Sequence, residues 1–169
     1  RTYARLDGLI SWRTWIEAVR AGRTVATNEP LLFAEVDGQE PGSELSSRGQ
    51  VTVEVDLTTI APVEVIEIIV DGEVVHTISV GEGGHQLTAQ ESIPVDGARW
   101  IAVRARGGKA RYSGDNYTFA HTTPVYFTDA PPNDASRASA DFLTAVIEEI
   151  WRRVDQRDAW LRPEDREVY

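Results

Sequence analysis

The chain contains no cysteine and no methionine, and its 17 Lys and Arg are outnumbered by 27 Asp and Glu. Each shortage excludes something. Without Cys there is no disulfide, thiolate metal site or thiol nucleophile, although that lack says little about compartment. No apolar run approaches the ~20 residues a membrane-crossing helix needs, and no targeting segment is visible. The formal net charge of −10 opposes approach to phosphate backbones and anionic bilayers, so neither nucleic acid nor membrane is expected as a partner. Arg99, Arg104, Arg106, Lys109 and Arg111 lie close together in sequence and read as solvent-facing strand and loop residues, with an anion site as the alternative. A chain opening Arg1-Thr2-Tyr3 without Met reads as a fragment, a processed protein or an excised domain.

What remains fits one globular domain of 169 residues, 41% of them hydrophobic, in three stretches: a linker and N-terminal helix over 1–22, a β-sandwich over 23–130, and a C-terminal helix and tail over 131–169. Arg1 to Gly8 lack periodicity. Trp12, Trp15, Ile16 and Val19 then fall at i, i+3, i+4 and i+7, predicting a helix from about Ser11 to Ala21 with Ser11 as N-cap and Gly22 at the left-handed stop. Beyond Arg23 the period changes to two. Leu31 to Val36 predicts a strand closed by Asp37-Gly38; Pro41 to Gly49 is loop chemistry; Val51, Val53, Val55 and Leu57 alternate with polar residues. Val63 to Val70 is nearly continuously apolar, as in a central strand covered on both faces. Asp71-Gly72 predicts a two-residue hairpin into Glu73 to Val80, and Gly81 to Gly84 a turn into His85 to Val95. Trp100 to Arg106 and Tyr117 to Thr128 carry the last strands.

Pro131-Pro132 stops the sheet. The next helix, capped by Asn133 or Ser136, has Phe142, Leu143, Val146, Ile147, Ile150, Trp151 and Val154 on one stripe, predicting an amphipathic helix laid on the domain. Short strands at a spacing of about 8 to 12 residues, with no helix between Leu31 and Thr128, argue for a mainly β protein. The expected class is an antiparallel immunoglobulin-like β-sandwich flanked by an N-terminal and a C-terminal α-helix.

The segment Trp15 to Leu32, with Asp37-Gly38 and Pro41-Gly42 behind it, resembles the start of the C-terminal β-sandwich region of CehA/McbA-type metallohydrolases. These belong to the PHP class, named after polymerase and histidinol phosphatase domains. Val65 to Val75, Trp100 to Ala105 and Phe119 to Tyr126 continue the resemblance in the same order. It implies a bacterial protein, cytoplasmic or exported, in which an N-terminal metal-binding domain absent from this chain holds divalent metals that activate water for hydrolysis. None of that domain's His-x-His or Asp-x-His motifs occurs here, so the resemblance implies a non-catalytic accessory domain with no cofactor of its own. One position departs: Glu29 stands where the family pattern has Gly between Asn and Pro, which removes the close backbone approach that Gly permits.

The residues themselves offer few rivals. A metal site would have to use His76, His85 and His121; if Gly81 to Gly84 closes a hairpin, Val80 faces His85 and His76 faces Ala89, which separates the first pair. Ser113-Gly114-Asp115-Asn116 reads as a turn rather than a nucleophile elbow. A carbohydrate- or protein-binding module, with Trp100, Tyr112 and Tyr117 as an aromatic platform, is the alternative function; a plain structural domain is the third. A coplanar aromatic strip would favour sugar binding, and an exposed apolar patch on the first helix a partner domain. The loops expected to face an active site are Thr27-Asn28-Glu29-Pro30 and His121-Thr122-Thr123-Pro124, each stiffened by its Pro. They become neighbours if Leu31 to Val36 runs parallel beside Val125 to Thr128.

Overall fold

The structure is a computed structural model that describes residues 1–46, 49–81, 85–109, 114–131 and 134–156. It divides into a unit Arg1–Pro131 and a unit Pro132–Tyr169.

The first unit begins with strand β1 (Thr2–Ala4), helix α1 (Trp12–Arg20) and strand β2 (Thr24–Thr27). Ser11 caps α1: its Oγ accepts from Thr14 N–H at 3.1 Å while Thr14 Oγ1 accepts from Ser11 N–H at 3.0 Å, satisfying donors that a helix start leaves unpaired. The helix stops where Gly22 turns left-handed (φ 71°), with Gly22 N–H donating to Val19 O and Arg23 N–H to Ala18 O, both at 3.0 Å, the paired bonds of a Schellman motif. Gly42 seats the next loop on this stop, since a Cβ there would meet Ala21 O at 2.0 Å. Arg1 to Gly8, expected as linker, instead supplies a strand: β1 pairs β2 antiparallel with Tyr3 opposite Val25. A strand this short is below the length at which alternation registers in sequence.

The remaining strands are β3 (Leu31–Val36), β4 (Glu44–Leu45), β5 (Gln50–Thr58), β6 (Val65–Val70), β7 (Glu73–Ser79), β8 (Gln86–Pro94), β9 (Trp100–Gly107), β10 (Thr118–Thr122) and β11 (Val125–Phe127). Together with β1 and β2 they form a 3-stranded sheet in the order β3-β5-β8 and an 8-stranded sheet built on β9. One edge of β9 carries β10 and β11 in succession, and the other carries β6, which in turn pairs β7. The inward residues of both sheets, among them Leu32, Val53, Val55, Leu57, Ile66, Ile68, Ile101, Val103, Ala120 and Val125, make one core. The fold is therefore mainly β, two sheets packed as a sandwich, with antiparallel pairing except where β4 runs parallel to β11. β6 is covered on both faces as expected, for Ile66, Glu67, Ile68 and Ile69 are all buried. Asp71 (φ 50°) and Gly72 (φ 97°) make the two-residue turn into β7, the double positive φ of a hairpin whose twist matches its strands.

Two pairings differ from expectation. β7 and β8 do not form a hairpin: His76 pairs Ile68 in the larger sheet, and Ala89 pairs Val55 in the smaller. Alternation tells which face of a strand is buried and leaves open which strand lies beside it; residues 82–84 lie outside those described. Nor does β3 run beside β11. It pairs β5, and the parallel neighbour of β11 is β4, whose residues read in sequence as loop.

The second unit contains α2 (Asp134–Gln156). It starts two residues before Ser136, which is thus not its cap, and Asn133 lies outside the described residues. The expected apolar residues Phe142, Leu143, Val146, Ile147 and Ile150 all fall within α2.

Candidate functional site

The sequence-derived site residues converge on the strand pair β2–β10, but two of them are fully engaged in the fold. Thr27 is buried, its Oγ1 donating to Pro30 O at 2.6 Å and accepting from Glu29 N–H at 3.1 Å. Thr122 is buried, its Oγ1 accepting from Val103 N–H at 3.1 Å. Asn28 clamps the start of β10, its Nδ2 donating to Tyr117 O at 2.7 Å and its Oδ1 accepting from Phe119 N–H at 2.8 Å. His121 faces outward, since Thr118, Ala120 and Thr122 take the inward positions of β10. Asn28 and His121 come together, through β2–β10 pairing (Ala26 opposite His121, Thr27 opposite Ala120) rather than through β3 and β11. The remainder of the second loop lies at the far end of that ladder, where Thr123 N–H donates to Thr24 O at 2.9 Å, about 13 Å from Asn28 at one strand rise per residue.

Outward from the core, this region carries an array that the sequence shows only as scattered residues. Glu67, Arg104 and His121 are cross-strand partners on β6, β9 and β10, and Val65, Arg106 and Phe119 form the adjacent row. The Glu67 side chain is 5% exposed. Arg104 Nε donates to its Oε2 at 2.6 Å, Arg106 Nε to the same oxygen at 2.9 Å, and Arg106 Nη2 to Oε1. The Arg106 hydrogen bond, opposed by burial and aided by Arg104, holds the carboxyl below the usual carboxylate range, and Arg106 is raised in return. Beside them the Phe119 and His121 rings stack with centroids 6.2 Å apart at 26°, while Tyr117 meets Phe119 edge-on at 80°. His121 Nδ1 lies 2.6 Å from Thr122 O; a carbonyl only accepts, so Nδ1 carries the proton and Nε2 offers a lone pair in the neutral ring.

The expected aromatic platform is not assembled. Trp100 starts β9 beside Tyr126, whereas Tyr117 sits beyond the other end of that strand, next to Thr118, which pairs Gly107. Tyr112 and Arg111 lie outside the described residues, as does Ser113.

The three histidines do not meet. His76 Nε2 approaches Glu91 Oε2 at 3.4 Å and His85 Nδ1 bonds Thr59 O at 3.0 Å. Among the described residues no three His, Asp or Glu converge as a metal-ligand group.

No family model, curated protein or solved structure matches the chain.

Two further surfaces stand out. Leu9, Ile10 and Trp12 are 88%, 89% and 76% exposed, with Trp12 stacked on Trp15 at 5.4 Å, so the segment before α1 and the helix's first residue present apolar side chains to solvent. A cleft of about 380 Å³ lies between β1–β2 and β3, lined by Tyr3, Val25, Leu31 and Phe33 with Arg5 and Glu35 at its side. Among the described residues no helix is long and apolar enough to cross a membrane.

Proposed function

We propose that this chain is the non-catalytic C-terminal accessory domain of a PHP-class metal-dependent hydrolase, an immunoglobulin-like sandwich that docks through its first helix on the metal-binding domain. The observation that carries this reading is the exposed set Leu9, Ile10 and Trp12, the last stacked on the half-buried Trp15. Adjacent large apolar side chains left in water are costly, about 25 cal/mol for each Å² that a partner surface would cover. The strand order supports the immunoglobulin-like part: β3-β5-β8 opposes a sheet in which β7, β6, β9 and β10–β11 follow one another, with β4 parallel to β11, as in sandwiches of that type. In this reading the divalent metal belongs to the partner domain, and among the described residues of this chain no ligand group of three His, Asp or Glu converges.

Sequencing the gene upstream of the Arg1 codon tests it directly. His-x-His and Asp-x-His motifs in the same reading frame are expected; an upstream frame without them refutes the reading. One tightly bound zinc or manganese per purified chain, or turnover of an activated ester lost in His121→Ala, refutes the non-catalytic assignment.

A further inference from the structure

Among the described residues, the array around Glu67 has more cationic hydrogen-bonding capacity than is used. Arg106 presents Nε and Nη2 to Glu67, but among the described residues Arg104 commits only Nε. The Nη1 and Nη2 groups of Arg104 are left on a side chain 29% exposed, anchored by a carboxylate that is itself buried. A guanidinium pinned along its Nε edge has lost most of its rotamer freedom, so a second carboxylate binding the Nη edge pays little ordering entropy. Glu64 adds its negative charge beside Arg106, the guanidinium already occupied on two nitrogens. Next to Arg104 in the same row stands His121, whose ring when neutral offers Nε2 to accept a hydroxyl and stacks beside Phe119 at 26°.

Two stacked rings, an anchored guanidinium and a hydroxyl acceptor on a partly exposed strand face match a pyranose carrying a carboxylate. Sugar C–H faces stack on aromatic planes, Arg binds carboxylate in a fork, and a partly exposed strand face suits one residue of a polymer better than a small molecule that needs enclosing. We propose that the outer face of β9 and β10 binds an acidic sugar, with the uronate carboxylate on the Arg104 Nη edge and the ring over Phe119 and His121. This is independent of the accessory-domain reading, which rests on α1.

The test is native affinity electrophoresis of the full chain in gels containing polygalacturonate or neutral dextran. A chain of net charge −10 is repelled by a polyanion on average, so retardation by polygalacturonate but not by dextran is the expected and specific result. Arg104→Gln is expected to weaken retardation about tenfold or more, as loss of a two-bond charged contact implies. Arg104→Lys should retain part of it, and Phe119→Leu, which keeps apolar bulk but loses the flat ring, should also weaken it. Arg106 still pairs Glu67 in each variant, and thermal melts check that each is folded. Absence of retardation overturns the proposal. So does retardation that Lys109→Gln reduces as much as Arg104→Gln, or that Phe119→Leu leaves intact, since either outcome is diffuse charge attraction.

Discussion

Removing charge from Glu67 and removing its partners are expected to have unequal effects, and the inequality follows from burial. The carboxylate is 5% exposed and accepts three N–H groups, whereas Arg104 and Arg106 are 29% and 52% exposed. In Glu67→Gln the guanidiniums rehydrate and the amide oxygen still accepts, so the loss is about 1–2 kcal/mol after discounting the more exposed Arg106. In Arg104→Leu/Arg106→Leu a buried carboxylate loses these partners, a situation that costs about 3–5 kcal/mol. At roughly 2–4 °C per kcal/mol for a chain of this size, the two variants should melt about 2–8 °C and about 6–20 °C below the parent at pH 7. The pH dependence has a definite sign. The folded pKa of Glu67 lies below its reference value of 4.5, so its stabilisation is complete above 4.5 and is lost as pH falls through the folded pKa. Parent and Glu67→Gln melting temperatures should therefore converge under acid. The double variant shifts the carboxyl the other way and should recover stability, relative to the parent, as Glu67 protonates. Circular dichroism melts from pH 7 to 3 read both effects. Equal losses in the two variants, or a Glu67→Gln deficit unchanged at pH 3, would refute the cluster as described.

Gly107→Ala should be severely destabilising, because a Cβ there meets Pro62 O at 1.8 Å, while Gly81→Ala, with nothing within 4 Å, should change the denaturation midpoint little. Ser11→Ala removes the N-cap of α1 and should cost about 1 kcal/mol, seen as faster amide exchange in its first turn. Asn28→Ala leaves Tyr117 O and Phe119 N–H without their side-chain partners and should cost about 1–3 kcal/mol in urea unfolding, most of it traceable to exchange at the start of β10. Replacing Leu9, Ile10 and Trp12 together by Ser should leave the melting temperature within about 2 °C, since surface positions rarely contribute more; a large drop would mean that they support the fold rather than await a partner.

Much of the β unit was legible locally. Residues 51–57 alternate, and the structure buries Val51, Val53, Val55 and Leu57 while Glu54 and Asp56 stay exposed. Asp71-Gly72 demanded a turn with positive φ at both positions and made one. Ser11 and Gly22 bounded α1 within a residue. Such features are written in one or two adjacent residues, because turn chemistry, capping and the period of burial act over a few bonds.

The candidate site was not legible, because it is made of residues whose meaning depends on the neighbouring strand. Glu67 in sequence is one of two acids interrupting an apolar run, and Arg104 and Arg106 are polar positions of an alternating strand; only the register of β6 on β9 brings them to one carboxylate. The same dependence explains the misplaced partners. The period of β7 is equally satisfied beside β8 or beside β6, and β1 and β4 are too short to declare themselves. The sequence by itself determined where the chain turns, which side of each strand is apolar, and where α1 begins and ends. Tertiary structure alone decided which strands pair, hence that a buried carboxylate pins two arginines beside a stacked Phe119 and His121, because strand pairing is selected by the packing of both sheets at once and not by local conformational preference.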